Sequence, residues 1–107
     1  MNVLFICYMN EIRSKTAEII INSENLHIAK SAGTSPNAKV NISAGLIQWS
    51  EIIFVMEEKH KTFLLKHFGN EVANKQIINL DIDHEKYFME PELISSIKSK
   101  TKPYLNI

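Results

Sequence analysis

The chain has 107 residues, enough for one domain that buries a core without disulfides or a metal. Its acidic and basic side chains cancel to a formal net charge of zero, which argues against a nucleic-acid partner held on a broad basic surface. A lone cysteine excludes an internal disulfide, the apolar start makes a poor signal peptide, and no run reaches membrane-span length. A cytoplasmic protein with a single domain over 1–107 is therefore expected.

Residues 2–6, NVLFI, are apolar with β-branched and aromatic members and predict a buried strand. A helical pattern follows over 13–23, with Thr16, Ala17, Ile20 and Ile21 on one side. Residues 26–30, LHIAK, alternate as a second strand and end at the turn formers of 31–36. A second helix is expected over about 42–49, then a third buried strand over 51–56. The charged segment 57–68 predicts a third helix, with Gly69 at its C-cap. Residues 76–80, QIINL, give a fourth strand. A polar loop over 81–90 leads to Pro91, well placed as the first residue of a last helix containing Leu93, Ile94 and Ile97. The lysines at 98, 100 and 102 suit a solvated helix end. Four strands alternating with four helices imply βαβ units and a parallel sheet covered on both faces, an α/β fold of three layers. Ligands of such sheets sit beyond the carboxyl ends of the strands, where the loop after the first strand lies.

That loop reads CYMNEIRS, residues 7–14, and holds both the only cysteine and the only arginine of the chain. A buried cysteine ending a strand is ordinarily just a small hydrophobe. A loop running from a strand into a helix N-terminus, however, aims several backbone N–H groups at one point, and the helix dipole adds positive potential. Such a loop cradles phosphate. Arg13, in the first helical turn, can grip two phosphate oxygens at once. Cys7, at the base of the loop, sits in a field that favours the nucleophilic thiolate and is placed for in-line attack on phosphorus. Ser14 can donate a hydrogen bond to that sulfur.

The string C-x5-R-S closing the first strand resembles the phosphate loop of the low-molecular-weight protein tyrosine phosphatases. Cys7, Asn10, Arg13 and Ser14 match C-x-x-N-x-x-R-S, and Thr16-Ala17-Glu18 continues the match. Ser31-Ala32-Gly33-Thr34 resembles the family's SAGT, and the run from Ser50 to Met56, with His60 beyond, its third-strand stretch. Leu80-Asp81-Ile82 and Phe88-Met89-Glu90-Pro91-Glu92-Leu93 are similar to the C-terminal run of a short branch of predicted phosphatases. The resemblance implies a four-stranded parallel sheet of order 2-1-3-4 and a metal-independent phosphomonoester hydrolase, acting on an aryl phosphate such as phosphotyrosine, with no cofactor. Cys7 would become the phosphocysteine. Tyr8, Met9, Asn10, Glu11, Ile12, Arg13 and Ser14 would hold the phosphate, with Asn10 bracing the loop. Met9 stands where a glycine is usual and Ile12 where a second cysteine is often found.

The family draws its general acid from a D-P-Y/F loop after the fourth strand. Asp83 is the first candidate here and Asp81 the second; an ungapped match puts His84 at the expected position, and Glu85 and Glu90 follow. Glu90, before Pro91, better suits a helix start. His60 and His67 are expected on the surface of the third helix, Trp49 beneath that helix, and Tyr8 at the pocket mouth with Phe88 and Met89 opposite. The four histidines show no paired ligand spacing, so no metal site is expected. The expected partner is a phosphorylated protein or small aryl phosphate, without nucleic acid or membrane. The alternatives are a phosphate-binding pseudophosphatase and, behind it, an arsenate reductase needing an external thiol, since the chain lacks relay cysteines. A sugar-phosphotransfer component also carries a strand-end cysteine, but not an arginine at the sixth position.

Overall fold

The apolar run NVLFIC forms the first strand, β1 (Asn2–Cys7), in a computed structural model that describes residues 1–106. Helix α1 (Arg13–Ser23) returns the chain to β2 (Ile28–Gly33), which pairs in parallel with β1 from Asn2↔Ile28 to Cys7↔Gly33. The chain then crosses the opposite face through α2 (Ala44–Trp49) to β3 (Ile52–Val55), on the other side of β1. Helices α3 (Glu58–His67) and α4 (Gly69–Val72) lead to β4 (Gln76–Asn79), and α5 (Pro91–Leu105) closes the described chain. The sheet order is β2-β1-β3-β4, all parallel, as the resemblance implies. The strand order reverses between β1 and β3, so the crevice beyond their carboxyl ends is where a ligand belongs.

Both central strands are buried on two faces, which explains why they read as continuous apolar runs. Alternate side chains serve separate cores. Val3, Phe5 and Cys7 pack with Phe54, with Ala17, Ile20 and Ile21 of α1, and with Leu93 and Ile97 of α5. Leu4 and Ile6 pack on the other face with Ile53, Val55, Ile47, Leu64 and Val72. Phe5 and Phe54 stack at 5.3 Å between centroids, tying the two strands that flank the crevice. No helix among the described residues is long and apolar enough to cross a membrane.

Three local expectations are corrected. Ser31, Ala32 and Gly33 are strand rather than turn, because they lie opposite Phe5, Ile6 and Cys7 and complete that ladder. Gly69 does not cap α3: Phe68 does, its N–H donating to the Leu64 carbonyl at 2.8 Å, and Gly69 opens α4, a fifth helix not foreseen. Trp49 does not lie under α3. The Lys30 ammonium of β2 sits 4.6 Å from its ring centroid, on the far edge of the sheet from β4.

Candidate active site

Residues 8–12 join the end of β1 to the start of α1, and their backbone is fixed from outside. The amides of Thr34, Ser35 and Lys39 donate to the carbonyls of Cys7, Tyr8 and Met9 at 3.0, 3.0 and 3.2 Å. In a planar trans peptide the N–H points opposite to its carbonyl. Holding those three carbonyls toward the 34–39 loop therefore turns the amides of Tyr8, Met9 and Asn10 toward the sulfur side. The third makes this concrete: the Asn10 N–H donates to Cys7 Sγ at 3.3 Å. Gly33 permits the close approach, since a Cβ there would stand 2.6 Å from the Ala38 Cβ and collide with the Tyr8 carbonyl. At the helix start, Ile12 offers no side-chain cap, so the first-turn N–H groups of α1 are open to an anion.

Asn10 holds the turn together. Its φ of 58° is left-handed, a region that asparagine tolerates better than most residues. The buried Nδ2 donates to Ser14 Oγ at 2.9 Å and Ser31 Oγ at 2.8 Å, and the Ser31 hydroxyl passes on to Glu18 Oε1 at 2.8 Å. Because Ser14 Oγ already accepts from Asn10, its own proton is available to Cys7 Sγ, 2.9 Å away. Two donors thus converge on the sulfur of Cys7, a residue only 3% exposed.

Arg13 is buried beside this loop. Its Nη1 donates to Glu57 Oε2 at 2.5 Å and to the Ile82 carbonyl at 2.8 Å. One partner follows β3 and the other follows β4, so the arginine links both loops to the crevice. Burial pushes the Glu57 carboxyl up, but the hydrogen bond and charge of Arg13 outweigh it and hold the group below the ordinary 4.5. Cys7, Tyr8, Met9, Glu11, Ile12, Arg13 and His84 line a pocket of about 190 Å³.

The structure brings together the loop residues and separates the carboxylates. Neither Asp83 nor Asp81 lines the pocket; His84 does. Asp83 Oδ1 accepts the Glu85 N–H at 2.9 Å, a turn-closing bond, and Asp81 has a left-handed φ of 53° with its carbonyl bound by Lys100 Nζ. Glu90 is the N-cap residue of α5 with Pro91 following, as its sequence position suggests. Phe88 is half exposed over a neighbouring depression with Lys15, Lys39 and Val40, not in the wall of the Cys7 pocket. Met89 packs against the core and donates its N–H to Thr16 Oγ1 at 3.1 Å.

His60 is the largest departure from expectation. It is 1% exposed rather than on the surface, while His67 is exposed as expected. The Glu57 N–H donates to His60 Nδ1 at 3.1 Å, so the neutral ring carries its proton on Nε2, which has no partner among the described residues. Desolvation, then the nearby Arg13 charge, push its pKa down to about 4 against the opposing pull of Glu57. An unfolded His60 takes up a proton near 6.5 and the folded one only near 4, so stability rises with pH across that window. Lowering the pH from 6.5 to 4 should cost about 3 kcal/mol through this group, at 1.36 kcal/mol per pKa unit. Urea unfolding at several pH values should show the loss and His60→Gln should flatten it; an unchanged slope in the variant would refute the assignment. Glu57 and His60 were missed as site residues because only tertiary contacts bury them, although a carboxylate directly after β3, beside the crevice, was a usable signal.

No family model matches the chain, and no curated protein does. Solved structures do. The YwlE arginine phosphatase from Geobacillus stearothermophilus superposes with a TM-score of 0.74 at 21% identity, covering 98% of this chain and 92% of that one. SP-PTP, a low molecular weight protein tyrosine phosphatase from Streptococcus pyogenes, gives 0.75 at 15% identity, with 98% and 91% covered. The tyrosine phosphatase Wzb from Escherichia coli K30, in complex with phosphate, gives 0.72 at 14%, with 98% and 96% covered. The chain has the α/β fold of the low-molecular-weight protein tyrosine phosphatases.

Proposed function

We propose that the chain is a metal-independent phosphomonoester hydrolase that works through a phosphocysteine at Cys7. The observation that carries the reading is the sulfur's position: it lies in a pocket at the β1–α1 turn, with the Ser14 hydroxyl at 2.9 Å and Arg13 in the same wall. Cys7 thiolate attacks phosphorus in line, and the loop amides with Arg13 receive the charge of the equatorial oxygens. The leaving oxygen departs with a proton. Water then attacks the phosphocysteine, returning its proton to the group that protonated the leaving oxygen; the P–S bond breaks, inorganic phosphate departs, and the Ser14 hydroxyl donates to the sulfur as it leaves as thiolate. Proton delivery falls to the segment of Asp83 and His84, the second of which lines the pocket.

Phosphotyrosine, or a small aryl phosphate, is the substrate class assigned first, and two of the neighbours are tyrosine phosphatases. A second class has an observation of its own. Glu11 places a carboxylate at the pocket wall, which suits a cationic leaving group such as the guanidinium of phosphoarginine, and another neighbour is an arginine phosphatase. The reduced protein with chelator present should hydrolyse p-nitrophenyl phosphate, and peptides carrying phosphotyrosine or phosphoarginine should rank the two classes. Acid quenching should trap phosphate on Cys7. Binding of inorganic phosphate without turnover on any of the three would replace this reading with that of a phosphate-binding module.

A further inference from the structure

Across Tyr8 from the Cys7 pocket lies a second cleft, of about 220 Å³, lined by Tyr8, Thr34, Lys59, His60 and Phe63. Tyr8, half exposed, forms a wall of both. The hydrolytic mechanism uses none of the other four residues.

The chemistry of this cleft is one-sided. His60 contributes a buried donor: with Nδ1 occupied by the Glu57 amide, the proton sits on Nε2 and meets no protein acceptor among the described residues. A buried donor without a partner costs on the order of 1–3 kcal/mol, so the site stands to gain from an acceptor. Lys59 adds an exposed ammonium that lies 3.9 Å from a carboxylate oxygen of Glu57. The other oxygen of that carboxylate is bound to Arg13, which limits its repulsion of an incoming anion. Thr34 offers a hydroxyl, and Phe63 with Tyr8 supplies aromatic surface that strengthens such contacts by excluding water.

We propose that this cleft is a second anion subsite, which takes an acidic group carried by the substrate next to its phosphate. It rests on the hydrolase reading and adds to it a substrate class: phosphorylated molecules with a carboxylate or second phosphate within one residue's reach of the scissile group. His60 donates from the buried wall, Lys59 closes from the rim, and Tyr8 separates the two anions so that neither site quenches the other.

A set of phosphotyrosine peptides tests it, identical except for alanine, glutamate or phosphoserine beside the phosphotyrosine, each placed on either side. The wild type should favour the acidic peptides over the alanine peptide by roughly tenfold in kcat/KM, about one charge-assisted hydrogen bond. Glutamate against phosphoserine distinguishes a carboxylate ligand from a phosphate. Lys59→Ala should shrink the preference and Lys59→Arg should keep it, and added salt should erode it in the wild type. Lys59 is a mostly exposed side chain on the first turn of α3, so these variants do not depend on repacking the core. Hydrolysis of p-nitrophenyl phosphate, which has no second anion, reports on the Cys7 site alone. Its absence would sink the hydrolase reading. Its presence with equal rates on all peptides would overturn the subsite and leave His60 Nε2 a buried donor without a partner among the described residues.

Discussion

Cys7→Ser is expected to abolish turnover while leaving phosphate binding intact. The substitution keeps the size of the side chain and both of its neighbours, since the Asn10 N–H and Ser14 hydroxyl can donate to an oxygen as they do to sulfur. It removes the nucleophile, because a serine hydroxyl at neutral pH lacks the negative charge that a thiolate brings. Its bonded neighbours, the Ser14 hydroxyl and the Asn10 backbone N–H, supply no base to compensate. The expected loss in kcat is at least about ten-thousandfold, the scale seen when a covalent nucleophile is removed. The amides turned inward by the 34–39 loop, and Arg13, are untouched, so inorganic phosphate should still bind by titration calorimetry. Residual turnover within tenfold or so of wild type would show that the sulfur is not the attacking atom. Loss of phosphate binding would show instead that the loop depends on the thiolate for its shape.

The architecture was legible because its signals are local and redundant. NVLFI and IIFV are apolar on both faces, which only central parallel strands require, and Pro91 marks a helix start through its own geometry. The loop was legible for the same reason: Cys7, Asn10, Arg13 and Ser14 are close in sequence, and the bonds that Cys7, Asn10 and Ser14 make to one another span at most seven residues. What failed was long-range. Ser31-Ala32-Gly33 consists of turn formers, yet small residues are needed there because β1 and the phosphate loop press against them. His60 and Glu57 sit in a charged, helix-like string, and only tertiary contacts bury the first and pair the second with Arg13. The direction of a side chain in an irregular turn is not written in spacing: neither Asp81 nor Asp83 lines the pocket, and His84 does.

These long-range contacts explain how a small domain stiffens the loop that follows its first strand. Each wall of the crevice sends one group to Arg13: Glu57 from the end of β3 and the Ile82 carbonyl from beyond β4. The other side of the loop is fixed through Asn10 and Ser31 to β2. The loop is thus tied to three strands besides its own.

Arg13→Lys carries the second large expectation. In the wild type Nη1 is committed to Glu57 and Ile82, while the remaining N–H groups of the guanidinium have no protein partner among the described residues and Arg13 lines the pocket. The planar fork therefore serves the protein with one nitrogen and leaves the rest for phosphate. Lysine has a single compact ammonium on a flexible stem and cannot do both. If it pairs with Glu57, the phosphate loses a charged donor; if it turns to the phosphate, Glu57 is left half-buried without its cation. Loss of one positioned donor to a developing charge costs on the order of a hundred- to a thousandfold in turnover, and kcat/KM for aryl phosphates should fall by at least that much. Glu57→Gln provides the control: it keeps an acceptor for Nη1 but removes the charge, and should cost less than Arg13→Lys. A lysine variant with near wild-type kcat/KM would mean that positive charge alone suffices, and that the bond to Glu57 has no part in holding the arginine for phosphate.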